Sequence, residues 1–296
     1  MTTQPVAPAP PVSRHEQLFT GLDCHFLEWG GDDATLDHTL VLVHGFLDLA
    51  WGWVPTVQAG LAGRFHVVAC DVRGHGDSGR VGAGGYYHFM DYVADLAALC
   101  EKVGRARVTL IGHSMGGSVV SYLAGAMPEL PHKVALLEGT GPPEDGTTVP
   151  ERVGSWIAAW KRARTRPQKA YPSLEAAAAR LRQTDAKLGV DLSLWLAEKG
   201  TLPVPGGRQW KHDPLHVTRG PYPFRLDVAE AHWRRTRCPV LLVEGSESMF
   251  RHTPEEAARR RACFADARSV LIDGAAHMMA RHRPEALAQV LAEFCG

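Results

Sequence analysis

Short apolar runs recur along this chain, and helix-length stretches separate the first four of them. The six runs occupy residues 40–43, 67–70, 108–111, 134–137, 240–243 and 269–272. Runs without polar alternation are typical of strands that are buried on both faces of a parallel sheet. Because strands that alternate with helices form right-handed βαβ units, this pattern predicts an α/β fold with a mostly parallel central sheet flanked by helices.

The alternation stops in the middle of the chain and resumes only near residue 237. Helical patterns at residues 153–164 and 174–187, and loops rich in Pro and Gly, fill the interval. We therefore predict a core domain from residues 18–141 and 237–296, and a mostly helical insertion from residues 142–236. An insertion of this size between strands is more typical of a functional cap, or lid, than of a passive loop.

Composition excludes several classes of protein. Lys and Arg total 32, as do Asp and Glu, so the zero net charge gives no support to a nucleic-acid partner. No run of about 18 apolar residues predicts a membrane span. The proline-rich start of the chain lacks the features of a secretion signal, and we expect residues 1–17 to form a disordered tail. Six widely spaced cysteines without a CxxC pair fit reduced thiols in a cytoplasmic protein.

The motif with the clearest chemical meaning is the sequence GHSMG at residues 112–116, which matches G-x-S-x-G. It directly follows an apolar run and directly precedes a helical pattern, as a nucleophile elbow does. The flanking glycines allow a turn so tight that side chains beside the serine would clash. The motif predicts that Ser114 is a nucleophile at the carboxyl edge of the sheet, where open α/β sheets bind their ligands.

A serine hydroxyl needs a base that accepts its proton. His277 lies in the loop after the last apolar run, within the sequence DGAAH at residues 273–277. A loop in that place reaches the same edge of the sheet as Ser114. His277 is therefore the predicted base, although an isolated histidine is more commonly a surface or structural residue.

Four motifs in this order resemble the α/β-hydrolase superfamily across residues 18–296. They are HGFL at residues 44–47, DVRGHGDS at 71–78, the serine turn, and GAAH at 274–277. The resemblance implies an α/β-hydrolase fold with the cap inserted after the sixth strand, and an oxyanion hole formed by the backbone N–H groups of Phe46 and Met115. Residues 210–216, WKHDPLH, are also similar to the serine-hydrolase-like (Kraken-type) branch.

Two carboxylates are candidates for the third member of a catalytic triad. The superfamily usually places its acid after the seventh strand, but here Ser248 occupies that position and Glu247 precedes it. Some members carry the acid after the sixth strand instead, where this chain has Glu138. A carboxylate that ends an apolar strand is costly unless it has a partner, and His277 is a natural partner. We favour Glu138 and keep Glu247 as the alternative.

Together these residues predict a serine hydrolase that cleaves an ester or a related acyl bond of a small molecule. A serine nucleophile argues against dehalogenase or epoxide hydrolase chemistry, which needs a carboxylate. Hydrolytic cleavage of C–C bonds in diketone-like substrates, and a non-catalytic binding protein with this fold, remain alternatives. No motif for a metal or a cofactor is present. Tyr222 and the cap tryptophans either line an apolar acyl pocket or pack the cap, and the oligomeric state stays open.

Overall fold

The protein is described by a computed structural model that covers residues 9–144 and 146–296. Its main sheet has eight strands in the order β1-β2-β4-β3-β5-β6-β9-β10, and β7 pairs with β8 in a separate hairpin. The strands are β1 (Val12–Gln17), β2 (Asp23–Trp29), β3 (His38–Val43), β4 (His66–Cys70), β5 (Arg107–His113), β6 (Lys133–Leu137), β7 (Thr201–Val204), β8 (Gly207–Trp210), β9 (Val240–Gly245) and β10 (Ala267–Ile272).

Helices surround the sheet and fill the interval between β6 and β9. The α-helices are α1 (Val54–Gly60), α2 (Phe89–Val103), α3 (Met115–Ala126), α4 (Val149–Thr165), α5 (Leu174–Thr184), α6 (Val190–Gly200), α7 (Leu226–Trp233), α8 (Pro254–Arg261), α9 (Met279–His282) and α10 (Pro284–Cys295). Two short 3-10 helices span Ala50–Trp53 and Pro214–Val217.

The predicted α/β fold with a mostly parallel sheet is confirmed. Each of the six apolar runs lies within one of the strands β3, β4, β5, β6, β9 and β10, and neighbours among these strands pair in parallel. Successive residues of β3 face opposite sides of the sheet, as the strand period requires. Val41 and Val43 pack with α2 and α3, whereas Leu40 and Leu42 pack with α1 and α10. Burial on both faces explains why the five inner strands lack polar alternation, whereas β10 lies at the edge of the sheet and is largely exposed.

The start of the chain departs from the sequence-based expectation. Residues 12–17, which we assigned to the disordered tail, form β1 and pair antiparallel with β2. The sequence VSRHEQ of β1 is polar and largely exposed, so it carries no hydrophobic signal for a strand. Backbone pairing at the edge of the sheet decides its conformation. The expectation for residues 1–8 lies outside the described residues.

The insertion also contains structure that its sequence did not indicate. Residues 201–210 form the β7–β8 hairpin, although we expected only helices and loops rich in Pro and Gly in this insertion. Gly206 permits the tight turn because its φ is +86°. Helix α7 falls inside the predicted insertion, yet it packs on α3 in the core: a Cβ at Gly125 would lie 2.3 Å from the carbonyl oxygen of His232.

Two expectations from the sequence, the lack of a membrane span and the reduced state of the cysteines, can be compared with the structure of the described residues. None of their helices combines the length and the apolarity that crossing a membrane requires. All six cysteines are free thiols, and five of them are buried. Burial raises the pKa of the Cys24 thiol to about 12, so this thiol is not a nucleophile at neutral pH.

Candidate active site

Ser114 lies in a strained turn between the last residue of β5 and the first residue of α3. Its φ of 53° and ψ of −118° are unusual for a residue with a side chain. The turn is held in place because Ser114 N–H donates to the carbonyl oxygen of Leu137 at 2.9 Å. The sequence-based prediction of a sharp strand–turn–helix element at residues 112–116 is confirmed.

Close backbone contacts explain the glycines of this turn. A Cβ at Gly112 would lie 2.4 Å from the carbonyl oxygen of Gly116, and a Cβ at Gly116 would lie 2.3 Å from that of Val43. A Cβ at Gly117 would lie 2.4 Å from Cα of Gly139. Because these contacts are with backbone atoms, any side chain at these positions would displace the turn.

Glu138 follows β6 and also has a positive φ, 46°. Its side chain is only 2% exposed and accepts hydrogen bonds on both oxygens. Gly245 N–H donates to Oε1 at 3.0 Å, while Ser248 Oγ donates to Oε2 at 2.7 Å and His277 Nδ1 donates to Oε2 at 2.5 Å. Burial acts to raise the pKa of this carboxyl, but the hydrogen bonds from His277, Gly245 and Ser248 hold the pKa below its ordinary value.

His277 is held from several sides. Its Nδ1 is occupied by Glu138, which leaves Nε2 for another partner. Its carbonyl oxygen accepts a hydrogen bond from His113 Nε2 at 2.8 Å, and the two rings pack with centroids 4.6 Å apart. Burial lowers the pKa of His113 to about 4, so that ring is neutral at pH 7. Phe250 covers the imidazole of His277 with its ring centroid at 4.3 Å. Since His113 directly precedes Ser114, this packing brings His277 to the edge of the sheet where the serine turn lies.

Glu247, the alternative acid, is directed elsewhere. Its carboxylate is 53% exposed and forms an ion pair with Lys187 Nζ at 2.5 Å. Of the two candidate carboxylates, the structure therefore brings Glu138 to His277. The residue that sequence reasoning overlooked as part of the site is Ser248, whose hydroxyl donates to Glu138. Its position, where the superfamily carries an acid, was the only available signal.

The segment that follows β3 lies alongside the serine turn. A Cβ at Gly45 would lie 3.2 Å from Cβ of Ser114. Leu47 has a φ of 57°, and its N–H donates to Nε2 of the buried His75 at 3.2 Å. Burial keeps the pKa of His75 well below its ordinary value, so the neutral ring accepts this bond. These contacts place Phe46 beside Ser114. Met115 supplies the first N–H group of α3, and the first N–H groups of a helix have no acceptor within the helix itself.

The turn at residues 71–78 braces the loops around the site. Asp71 is fully buried and accepts hydrogen bonds from His25 Nδ1 at 2.6 Å, Ala50 N–H at 2.7 Å and Asp77 N–H at 2.9 Å. Potential metal ligands of His25, Asp71 and Asp77 lie within 4.8 Å of one another. Those of Asp71 are already engaged by these bonds, and Asp77 pairs with Lys211 at 2.7 Å, so the cluster is explained by internal contacts.

Some aromatic side chains of the cap pack against other side chains, and others line a cavity. Trp156 and Trp160 pack against Tyr86, and Trp195 packs against Trp51. Trp233 is buried and donates to Ser121 Oγ at 2.9 Å, whereas Tyr222 is 74% exposed. Trp210 lines a cavity of about 540 Å³ that also contacts Leu47. Packing therefore accounts for most of the tryptophans.

Comparison with known proteins agrees with this geometry. A model of the alpha/beta hydrolase family matches residues 40–290. The chain is 26% identical to the serine hydrolase-like protein of Danio rerio over 264 residues, which are 86% of this chain and 80% of the relative. It is 30% identical to the 3-hydroxybutyrate-oligomer hydrolase of Cupriavidus necator over 252 residues, which cover 79% of this chain and 80% of the relative.

Solved structures show the same fold. The thioesterase domain from the curacin biosynthetic pathway matches with a TM-score of 0.84 at 23% identity, over 96% of this chain and 100% of that domain. The family and the curated relatives support a hydrolytic enzyme that acts on a small molecule. Because the family model spans most of the sequence, this protein belongs to the alpha/beta hydrolase family.

Proposed function

We propose that this protein is a serine hydrolase that cleaves an ester or a related acyl bond through Ser114, His277 and Glu138. The observation that carries the proposal is the hydrogen bond of 2.5 Å from His277 Nδ1 to the buried carboxylate of Glu138. Such a bond selects the tautomer with the proton on Nδ1, so that Nε2 is free to accept a proton from a serine. The strained turn at Ser114 supports its proposed role as the nucleophile.

The reaction proceeds through an acyl-enzyme. Ser114 Oγ attacks the acyl carbon while His277 Nε2 takes the hydroxyl proton, and the same proton then passes to the leaving group. Water attacks the acyl-enzyme in the second half, with His277 again accepting and returning a proton. Glu138 stabilises the imidazolium in both halves. The N–H groups of Phe46 and Met115 donate to the oxyanion, whose charge develops only at the tetrahedral stage.

The relatives are consistent with this class of substrate. Their names describe a hydrolase of 3-hydroxybutyrate oligomers and a serine hydrolase-like protein. A serine at residue 114, rather than a carboxylate, disfavours reactions that pass through an alkyl-ester intermediate. C–C bond hydrolysis uses a similar triad and remains the second enzymatic candidate.

Covalent labelling tests the proposal. Purified protein is treated with a fluorophosphonate probe and the adduct is read by intact mass, in parallel with Ser114→Ala, His277→Ala and the control Ser155→Ala on α4. We expect one adduct on the wild type and the control, no adduct on Ser114→Ala, and strongly reduced labelling of His277→Ala. Unlabelled protein from the same preparations is assayed against short-chain esters, thioesters and diketones.

Each alternative has its own outcome. Folded wild-type protein without an adduct would leave the non-catalytic binding protein as the better interpretation. A protein that reacts with the probe and that, without the probe, cleaves diketones and not esters would establish the C–C hydrolase. Hydrolysis of esters that depends on both Ser114 and His277 supports the proposal.

A further inference from the structure

A cavity of about 540 Å³ lies between the cap and the segment that follows β3. That volume is within the range of sites that hold small molecules. Leu47 is its lining residue from the core, and the others come from the chain between β6 and β9. Leu47 directly follows Phe46, whose N–H is the proposed oxyanion donor, so a ligand in this cavity would reach toward Ser114.

The Arg and Lys side chains that line the cavity are not matched by acidic ones. Its lining includes Arg162, Arg166, Lys169 and Arg180, and no Asp or Glu. None of these four cations forms an ion pair with a carboxylate in residues 9–144 or 146–296. Arg180 bonds only the amide oxygen of Gln183, at 3.3 Å, and Lys169 lies over the ring of Tyr171 at 4.8 Å. Other arginines and lysines near the site, such as Lys187 and Arg281, are paired.

Cations of one sign around a cleft repel one another and concentrate anions from solution. Arginine in particular presents a planar fork that matches carboxylate and phosphate oxygens. The remaining walls are mostly apolar, with Leu181, Trp210 and Val217 among them. The lining is therefore complementary to a molecule with an apolar body and an anionic end.

We propose that this cavity binds the anionic group, a carboxylate or a phosphate, of a substrate whose scissile acyl bond lies at Ser114. This inference rests on the proposed function and narrows its substrate class from esters and related acyl compounds in general to those that carry an anionic group. Arg166 and Lys169 are the specificity residues, since they join α4 to the β-hairpin side of the cap and both face the cavity. Arg162 and Arg180 add charge from α4 and α5.

Two esters of matched shape test this specificity. The 4-nitrophenyl monoester of glutaric acid ends in a carboxylate, and 4-nitrophenyl 5-methylhexanoate replaces that carboxylate with an isopropyl group. We expect the wild type to prefer the anionic ester in kcat/KM by at least about tenfold, because a charged hydrogen bond contributes about 1.5–3 kcal/mol. The preference should fall at high salt, and the double variant Arg166→Gln/Lys169→Gln should lose it through KM.

Lys161→Gln is the matched control, because Lys161 lies on α4 but does not line this cavity. The control should keep the preference, and the double variant should keep its turnover of the neutral ester. Equal kcat/KM for the two esters in the wild type, or a preference that survives the double substitution in folded protein, would overturn the proposal.

Binding to the Ser114→Ala protein separates this inference from the proposed function. Glutarate and inorganic phosphate are titrated calorimetrically, and whichever binds more tightly identifies the anion. We expect saturable binding that is lost in Ser114→Ala/Arg166→Gln/Lys169→Gln. If the wild type hydrolyses neither ester and does not react with the fluorophosphonate, the proposed function is wrong. The titration still shows in that case whether the cavity binds an anion. Absence of binding for both anions refutes the anionic site.

Discussion

The carboxylate of Glu138 accepts hydrogen bonds from a backbone amide, a hydroxyl and an imidazole, which is a dense set for one buried side chain. Ser248 supplies the hydroxyl from the position where the superfamily usually carries the acid. Because the carboxylate is at residue 138, a hydroxyl donor at residue 248 is compatible with the negative charge of Glu138. A second carboxylate at residue 248 would repel it instead.

The proposed assignment of Glu138 as the acid of the triad is tested by two matched amide substitutions. Glu138→Gln places an amide against His277 Nδ1 and removes the charge that stabilises the imidazolium, so we expect kcat to fall by roughly 10³–10⁴-fold. Glu247→Gln removes only the exposed ion pair with Lys187 and should leave kcat nearly unchanged. Ester hydrolysis with circular dichroism as a folding check measures both. Normal turnover in Glu138→Gln together with loss in Glu247→Gln would reverse the assignment.

Ser248 is a positioning residue for the same carboxylate. Removing its hydroxyl in Ser248→Ala costs about 0.5–1.5 kcal/mol of hydrogen bonding, so kcat should fall by about two- to tenfold. Ser248→Thr keeps a hydroxyl and should restore much of the rate, which a simple packing role would not predict. The pKa of Glu138 should also rise when this donor is lost, and the acid limb of the pH–rate profile would then move to higher pH. Unchanged kcat and pH profile in Ser248→Ala would exclude this role.

At the scale of elements, the site is formed where parallel strands end. Ser114 follows β5, Glu138 follows β6 and His277 lies in the loop after β10. Because parallel strands end at the same edge of a sheet, residues far apart in sequence meet there. Helix α3 begins immediately after the serine, and its first turn contacts the loop after β6 where Gly117 meets Gly139.

Substitution of Gly117 tests how closely α3 must approach the loop after β6. Alanine normally stabilises a helix by about 1 kcal/mol relative to glycine. At Gly117, however, the new Cβ would lie 2.4 Å from Cα of Gly139, and backbone cannot yield as a side chain can. We expect Gly117→Ala to lower the free energy of unfolding by about 1–3 kcal/mol and to reduce labelling of Ser114.

Gly154→Ala is the matched control in a second helix. Gly154 lies inside α4 with open space around its Cβ position, so the substitution should raise the free energy of unfolding by about 0.5–1 kcal/mol. Urea unfolding measures both variants. Equal stabilisation of the two proteins would show that the contact with Gly139 relaxes without cost.

At the scale of the whole molecule, buried histidines make stability depend on pH. Burial lowers the pKa of His38, His113, His212 and His216 from 6.5 to about 4. In the unfolded chain these rings titrate near 6.5. Between pH 6.5 and pH 4 the unfolded state therefore binds more protons, and stability rises with pH. Their contribution is complete above pH 6.5 and is lost as the pH falls toward 4.

Thermal unfolding between pH 4.5 and pH 8 tests this dependence. We expect a plateau above pH 7 and a steep decline below pH 6, because each ring that is neutral in the folded state must bind a proton as the pH falls. His38→Gln keeps a partner for Thr109 and should flatten part of the slope, whereas His15→Gln, at an exposed position of β1, should not. A melting temperature that is flat down to pH 4.5 would contradict the prediction.

Much of the core follows from local patterns in the sequence. The inner strands β3–β6 and β9 are mostly apolar on both faces, and that composition identifies them without knowledge of their neighbours. The turn at Ser114 is marked by a short motif, within which Gly112 avoids a clash with the backbone of Gly116. These features could be predicted because each is visible within a short segment of the sequence.

Tertiary structure alone decided the pairings between distant segments. Glu138 and His277 are 139 residues apart, and only the folded sheet shows that Glu138 meets the imidazole while Glu247 meets Lys187. The polar strand β1 has no strand signal of its own and exists because β2 supplies hydrogen-bond partners. The cations around the cap cavity belong to separate helices and a loop, so their convergence depends on how α4 and α5 pack. Sequence determines what each segment prefers, whereas contacts across the fold select among carboxylates and charges that are locally equivalent.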